Sequence, residues 1–337
     1  MKAAVLEKLH EPLVFRELDS PVAAPGEVVV ELKAAGLNHR DLWIQKGLYP
    51  GVKVPAVLGS DGAGVVVEAG DESGKEWIGK NVIINPAHNW GEAKTHYGPD
   101  FKILGLEDQG TFAGFIAVKN EYLTEMPGHL SYGQAAAIPL AGLTAWRSLV
   151  TRTAFTGTEK VLITGIGGGV AQFAARFAIA MGAEVWVTSG SDEKIAKSIG
   201  MGVRGGINYT GATWHRDFLV KLRAPRHGYF DVIIDSAGGP GFQKLIDLAA
   251  PGGRICFYGG TTGNITDLAP AKIFFKQLTI SGSTMGTPEE FRDMTGFINR
   301  HEIHPEVDTV MPFDEINQGM GRMERGEQFG KIVFLMG

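Results

Sequence analysis

The stretch KVLITGIGGGVAQFAARFAIAMGAEVWVTSG, residues 160–190, decides the fold. It opens on a short, wholly apolar run, Val161–Ile163, of the kind buried on both faces of a parallel sheet. A glycine cluster follows at Gly165, Gly167, Gly168 and Gly169, and then a long apolar helix over 171–181. A second strand, EVWVT at 184–188, comes next. Strand, glycine turn and helix in that order make a loop that lets a pyrophosphate approach the backbone at a helix N-terminus, where free N–H groups and positive potential favour it. The spacing is not a strict G-x-G-x-x-G: with Gly168 in the second place, Ile166 holds the first and Ala171 the third. Gly167, Gly168, Gly169 and Val170 are therefore expected to touch a dinucleotide.

The pattern continues outward. Helix 192–199 ends at Gly200, and strand 206–209 is followed by a helix around 217–222. Strand 229–235 (YFDVIID), helix 242–249, strand 253–258 (GRICFY) and a sixth strand at 278–282 complete the series. Strands alternating with helices mean βαβ units: an α/β fold with a doubly wound parallel sheet. Gly259 and Gly260 follow the fifth strand, at the carboxyl end where such sheets meet ligands.

The residues before about 130 read differently. EVVVEL (27–32), GVVVE (64–68), NVIIN (81–85) and TFAGFIAV (111–118) are short Val/Ile runs bounded by Gly, Asn or Pro, and suit a small rolled or barrel-like sheet. The segment 86–110 is loop-like and carries Trp90, either a lid or an ordinary excursion. Helices are expected at 131–138 and 142–150, separated by Pro139, and later at 288–300 and 313–325. A last strand, 331–335, is placed to return to the first domain.

With 337 residues, 44% hydrophobic and 20% charged, the chain suits about two globular domains. A net charge of −5 argues against nucleic acid or an anionic membrane as partner. The N-terminal stretch is interrupted by Glu7 and Glu11 and does not resemble a signal or transit peptide. A single cysteine, Cys256, inside an apolar strand, fits a core thiol in a reducing cytoplasm and removes any zinc site needing two thiolates.

The cofactor is read at the end of the second strand. An NAD site places a carboxylate there for the ribose 2′-OH. Here stand Ser189, Gly190 and Ser191, with Lys194 one turn on and Tyr209 closing the third strand, a setting for a 2′-phosphate and so for NADPH. Lys194 is otherwise a solvated helix lysine, and Asp192 at the helix N-terminus serves the dipole.

Ordered landmarks run the length of the chain: MKAAVLEK at the start, PGEVVVELKAAGLNHRDLWIQKGLYP (25–50), VLGSDGAGVV (57–66), GIGGGVA (165–171), INY (207–209), DVIIDSAGG (231–239) and FGKIVFL (329–335). Together they resemble the medium-chain dehydrogenase/reductases, in particular a zinc-free, quinone oxidoreductase-like branch. The resemblance implies a GroES-like catalytic domain from residues 1–128 and 268–337, and a Rossmann domain from 129–267. Zinc members of that family have Cys where this chain has Asn38, His where it has Ser60, and Cys around Leu140; the four structural-zinc cysteines have no counterpart in 86–110. No metal is therefore expected. Asp61 alone is not a site, and His39, His88 and His96 read as loop or surface histidines.

The same resemblance places Asn38 on the oxygen of an electron-poor acceptor, against the alternative of a loop cap. Asp41 supports it or caps the local helix, and Tyr49 is either a pocket phenol or a packed aromatic. Thr144 and the tail residues Phe329, Gly330 and Lys331 are expected on the cofactor. The implied activity is metal-free hydride transfer from NADPH to a small quinone or α,β-unsaturated carbonyl. A zinc alcohol dehydrogenase, a non-catalytic NADPH-binding protein and an enoyl-thioester reductase are the rivals. The apolar segment 278–285 suits an edge strand that pairs across a two-fold axis, so a homodimer is expected.

Overall fold

The structure is a computed structural model that describes residues 1–225 and 227–337. It divides into two compact units, Met1–Leu143 with Gly286–Gly337, and Thr144–Met285. The division falls later than the expected boundaries at 128 and 267. The helix Tyr132–Ala136 packs on strands of the first unit, and the strand Thr279–Gly282 hydrogen-bonds into the sheet of the second.

The first unit is β-rich. Its largest sheet runs Leu123–Glu125, Asn81–Ile84, Asp61–Ala69, Glu27–Gly36, Lys331–Leu335, Val307–Pro312, with Phe115–Lys119 also on Glu27–Gly36. Val28, Val30, Leu32, Val66, Val82, Ile84, Ile116 and Val118 face one another inside it. Burial of that Val/Ile set is what makes these β-branched runs strands.

The terminal strand does return to the first domain. It lies antiparallel to Glu27–Gly36, with Val333 opposite Gly36, and Gly36 is in turn opposite Asp61. Three chain segments far apart in sequence therefore meet at one end of the sheet. Gly36 is glycine for a steric reason: a Cβ there would lie 2.4 Å from the carbonyl oxygen of Ala136. Its absence lets the helix end approach, so that Leu140 N–H reaches the Asp61 carboxylate.

In the second unit six strands form one parallel sheet in the order Gly205–Asn208, Glu184–Ser189, Lys160–Ile163, Phe230–Asp235, Ala249–Phe257, Thr279–Gly282. By sequence this is 3-2-1-4-5-6, the order of dinucleotide-binding sheets, and it reverses beside the first strand. Val161, Leu162, Ile163, Val185, Val187, Ile233 and Ile234 are fully or almost fully buried.

Some elements differ from expectation. The helix after Pro139 begins on it, Pro139–Trp146, because proline's fixed φ suits a first helical turn, and it runs into a π-helical turn at Arg147–Thr151. A strand Val307–Pro312 and a helix Pro270–Lys276 have no counterpart in the sequence reading. Their exposed and buried residues follow no clean period. The segment 86–110 is not a bare loop. A two-residue hairpin pairs Ala87–His88 with Lys102–Ile103, and buried Trp90 packs edge-on to Tyr97 and Phe101. Its indole N–H donates to the Ala93 carbonyl. His88 stacks on Tyr122 at 3.9 Å, and burial pushes its imidazole down to about 4, so it is neutral at physiological pH.

Candidate active site

Asn38 ends the turn after the Glu27–Gly36 strand and caps the helix His39–Gln45. Its backbone N–H donates to Asp41 Oδ2 at 2.9 Å, so Asp41 does close this helix start, as one of its two expected roles required. The Asn38 side chain reaches elsewhere. Nδ2 donates to Asp61 Oδ2 at 2.9 Å, and Oδ1 accepts from Lys331 Nζ at 2.6 Å. Lys331 Nζ also donates to Asp61 Oδ2 (2.8 Å) and to the Leu37 carbonyl (2.8 Å). Three acceptors surround one nitrogen, which is the coordination of an ammonium. Asp61 Oδ1 accepts from Leu140 N–H at 2.7 Å.

Lys331 was expected on the cofactor. Its ammonium instead spends all three donors inside the first unit, on partners 270 to 294 positions away in the chain. Phe329 and Gly330 form the turn that feeds this strand: Phe329 N–H donates to Asp308, and Gly330, at φ 111°, lies against the Glu306 carbonyl. Both are thus held within the first unit, Phe329 by a carboxylate and Gly330 against a backbone carbonyl.

A second cation lies beside the first cluster. Buried Arg40 donates from one NH1 to Ser60 Oγ (2.6 Å) and to the Leu104 carbonyl (2.9 Å). Its guanidinium carbon stands 5.1 Å from the Tyr49 ring centroid, a cation–π contact. Tyr49 is half-buried and packs on the apolar core, yet its hydroxyl has no partner among the described residues. Neither Arg40 nor the position of Lys331 was legible locally. The one signal available was a lysine opening an otherwise apolar strand, KIVFL.

Positions 38, 60 and 140, which carry the catalytic-zinc ligands in zinc members of the resembling family, do converge here. The donor set does not fit zinc. Asn38 and Asp61 are bonded to an ammonium, Ser60 to a guanidinium, and residue 140 offers a leucine. A dication would face two fixed positive charges with neither thiolate nor imidazole at positions 38, 60 and 140 to hold it. Among the described residues no three His, Cys, Asp or Glu side chains come together to hold a metal.

Asp41 is fully buried, and its Oδ1 has no hydrogen-bond partner among the described residues. Burial raises its carboxyl from 3.8 to about 6, opposed by the charge of Arg40 and the Asn38 N–H, and reinforced by Asp61. A folded-state value above the unfolded one means the native chain binds this proton more tightly. The resulting stabilisation is present below about pH 4 and is lost as pH rises through about 6. In urea titrations the wild type should therefore lose on the order of 3 kcal/mol relative to Asp41→Asn between pH 4 and pH 7. A constant difference would mean that Asp41 ionises as an ordinary carboxylate.

In the second unit, the glycine loop has the conformation that the sequence reading requires. Gly165 takes φ 64°, and Gly168 caps the helix Gly169–Ala180 from an extended conformation, φ −85°, ψ 151°. Gly168 N–H donates to Gly165 O, and Gln172 Nε2 to Ile166 O at 2.7 Å, which rigidifies the turn. The amides of Gly167, Gly169 and Val170 have no acceptor among the described residues, the usual state of a helix start open to an anion. Ser189, Gly190 and Tyr209 lie at the carboxyl ends of two paired strands, with Ser189 opposite Asn208, and the Lys194 backbone N–H donates to Ser191 Oγ in the helix that follows. The Tyr209 hydroxyl lies 3.2 Å from where a Gly190 Cβ would stand, so glycine admits the phenol. Asp192 is tied to Asn208 Nδ2 at 3.1 Å. Thr144 donates to Met285 Sδ at 3.9 Å. Gly259 packs close to the Ser236 carbonyl, and Gly260 lies in the same turn.

A parallel sheet of this order with an anion-ready glycine loop, joined to a β-rich unit bearing a buried polar cluster, defines a dinucleotide-binding dehydrogenase. Two family models match: the alcohol dehydrogenase GroES-like domain over residues 24–128, and the zinc-binding dehydrogenase domain over 169–300. The zinc-type alcohol dehydrogenase-like protein YogA of Leptosphaeria maculans is 36% identical, over 97% of this chain and 95% of its own. The zinc-type alcohol dehydrogenase-like protein C1773.06c of Schizosaccharomyces pombe is 35% identical, over 92% and 90%. A crystal structure described as an NAD-dependent alcohol dehydrogenase superposes with a TM-score of 0.92 at 33% identity, covering all of both chains. The chain belongs to the medium-chain dehydrogenase/reductase superfamily and is an alcohol dehydrogenase-like oxidoreductase.

Proposed function

We propose that this oxidoreductase is an NADPH-dependent, metal-free reductase of small electron-poor acceptors, quinones or α,β-unsaturated carbonyls. The observation that carries the reading is the Asn38–Asp61–Lys331 cluster with Arg40 on Ser60, which bonds organic cations to the residues at zinc-ligand positions 38 and 60. Without a Lewis acid, an isolated carbonyl is a poor hydride acceptor, and an acceptor already electron-poor is favoured. When bound, the dinucleotide supplies the hydride; a proton from water completes reduction of a quinone to its hydroquinone, leaving NADP+. Asn38 meets the acceptor oxygen through an amide N–H, and the free hydroxyl of Tyr49 lines the same region.

The preference for NADPH rests on Ser189, Gly190, Lys194 and Tyr209, and on the lack of a carboxylate ending the Glu184–Ser189 strand. The resemblance to an NAD-dependent alcohol dehydrogenase favours the alternative nucleotide. A reducing cytoplasm suits the single buried thiol of Cys256. Among the described residues no helix is long and apolar enough to cross a membrane. We further read a homodimer from the Thr279–Gly282 strand, which pairs on one side only, beside exposed Phe274 and Phe275.

The test is fluorescence titration of EDTA-treated protein with NADPH and NADH, then addition of a quinone and enone panel, with the solution mass measured on the same preparation. NADPH binding at least about tenfold tighter, with oxidation on adding an acceptor, is the expected result. Tighter NADH binding sinks the reading of Ser189 and Lys194, and turnover only after zinc is restored sinks the metal-free reading.

A further inference from the structure

We propose that Lys331 is a positioning residue that fixes the Asn38 amide and strengthens its outward N–H as a donor to the acceptor oxygen. The proposal rests on the reductase reading and adds to it the group on which Asn38 depends.

The bonding leaves the amide no choice of orientation. An ammonium only donates, so Asn38 Oδ1 must face Lys331 Nζ at 2.6 Å. A carboxylate only accepts, so Nδ2 must face Asp61 at 2.9 Å. Flipping the amide would set N–H against ammonium and oxygen against carboxylate, two repulsive contacts in a buried place. One Nδ2–H is spent on Asp61. The planar geometry of the amide then fixes the direction of the other, which has no partner among the described residues.

Exposure decides which member of the cluster a ligand meets. Asp61 is 0% exposed, Lys331 3% and Asn38 6%. All three Lys331 donors are used internally, so the route by which it acts on a substrate through hydrogen bonds runs through Asn38. An amide whose oxygen is bound by a cation holds more positive charge on its N–H, and hydrogen bonds in such a chain reinforce one another. That N–H opposes negative charge as it builds on the acceptor oxygen during hydride transfer. No bond to Lys331 forms or breaks.

The experiment is a double-mutant cycle in an Asp61→Asn parent, which removes the buried carboxylate so that Lys331→Met does not strand a charge. In that parent, Lys331→Met should lower kcat for the acceptor about tenfold to a hundredfold while the NADPH Kd stays within about twofold. In the Asp61→Asn/Asn38→Ala chain the same replacement should change kcat by less than about twofold, because the group Lys331 acts through is gone. An equal loss in both chains, or none in either, overturns the proposal. If wild type turns over no acceptor, the reductase reading fails by itself. The Asn38 side-chain resonances in 15N–1H spectra then decide this one: two well-separated N–H signals that merge or broaden on Lys331→Met support it, and unchanged signals overturn it.

Discussion

Replacing Lys331 by Met in otherwise wild-type protein should destabilise it by about 3–5 kcal/mol, the range found when one partner of a buried pair is removed. Asp61 is fully buried, and among the described residues its carboxylate takes two of three hydrogen bonds from neutral N–H groups, Asn38 Nδ2 and Leu140 N. The third comes from Lys331 at 2.8 Å, and both side chains lie away from water. Without the ammonium the carboxylate loses its only ion-pair partner among the described residues, and the Leu37 carbonyl and Asn38 Oδ1 lose a donor. Combining Lys331→Met with Asp61→Asn should recover most of the loss, because the two charges leave together. The check is the urea midpoint of the three chains. A single variant within about 1 kcal/mol of wild type would mean that the pair is hydrated and interacts as a surface pair does.

Gly168→Val should separate folding from cofactor binding in the second unit. A Cβ at Gly168 would meet only Gly165 O, at 3.7 Å, and its extended backbone accepts any residue. Stability should therefore change by about 1 kcal/mol at most, the preference for glycine over valine at a helix cap. Affinity for NADPH should fall on the order of a hundredfold, because the isopropyl group stands where a pyrophosphate has to approach the helix N-terminus. Calorimetry reads the first quantity and fluorescence titration the second. Unchanged affinity would remove the phosphate-cradle role from this loop, and a large loss of stability would make Gly168 a glycine of packing, as Gly36 is.

The second unit was legible because its code is local. KVLITGIGGGVA places strand, turn and helix within a dozen residues, and each following strand announces itself as an apolar run between turns. Right-handed crossovers then wind such units into one parallel sheet. Elements with mixed patterns were missed: Val307–Pro312 has no fully buried residue, and Pro270–Lys276 has none either. The 86–110 segment could not be chosen as lid or excursion, since its Trp90–Tyr97–Phe101 cluster is a contact between side chains rather than a period.

The candidate site divides in the same way. Asn38 and Asp41 lie three residues apart at a helix start, so their pairing is written in a short stretch of chain. Position 60 could be read as lacking a metal ligand by its residue type alone. What sequence alone determined is therefore the doubly wound sheet, the anion-ready loop, and the absence of thiolates and histidine at the converging positions. Only the tertiary structure decided that Lys331 closes on Asn38 and Asp61 and Arg40 on Ser60. These contacts depend on the register that sets Val333 opposite Gly36 and Gly36 opposite Asp61, across nearly 300 residues of chain. A strand register is fixed by burying one face of the whole sheet, and no local stretch of sequence carries that energy.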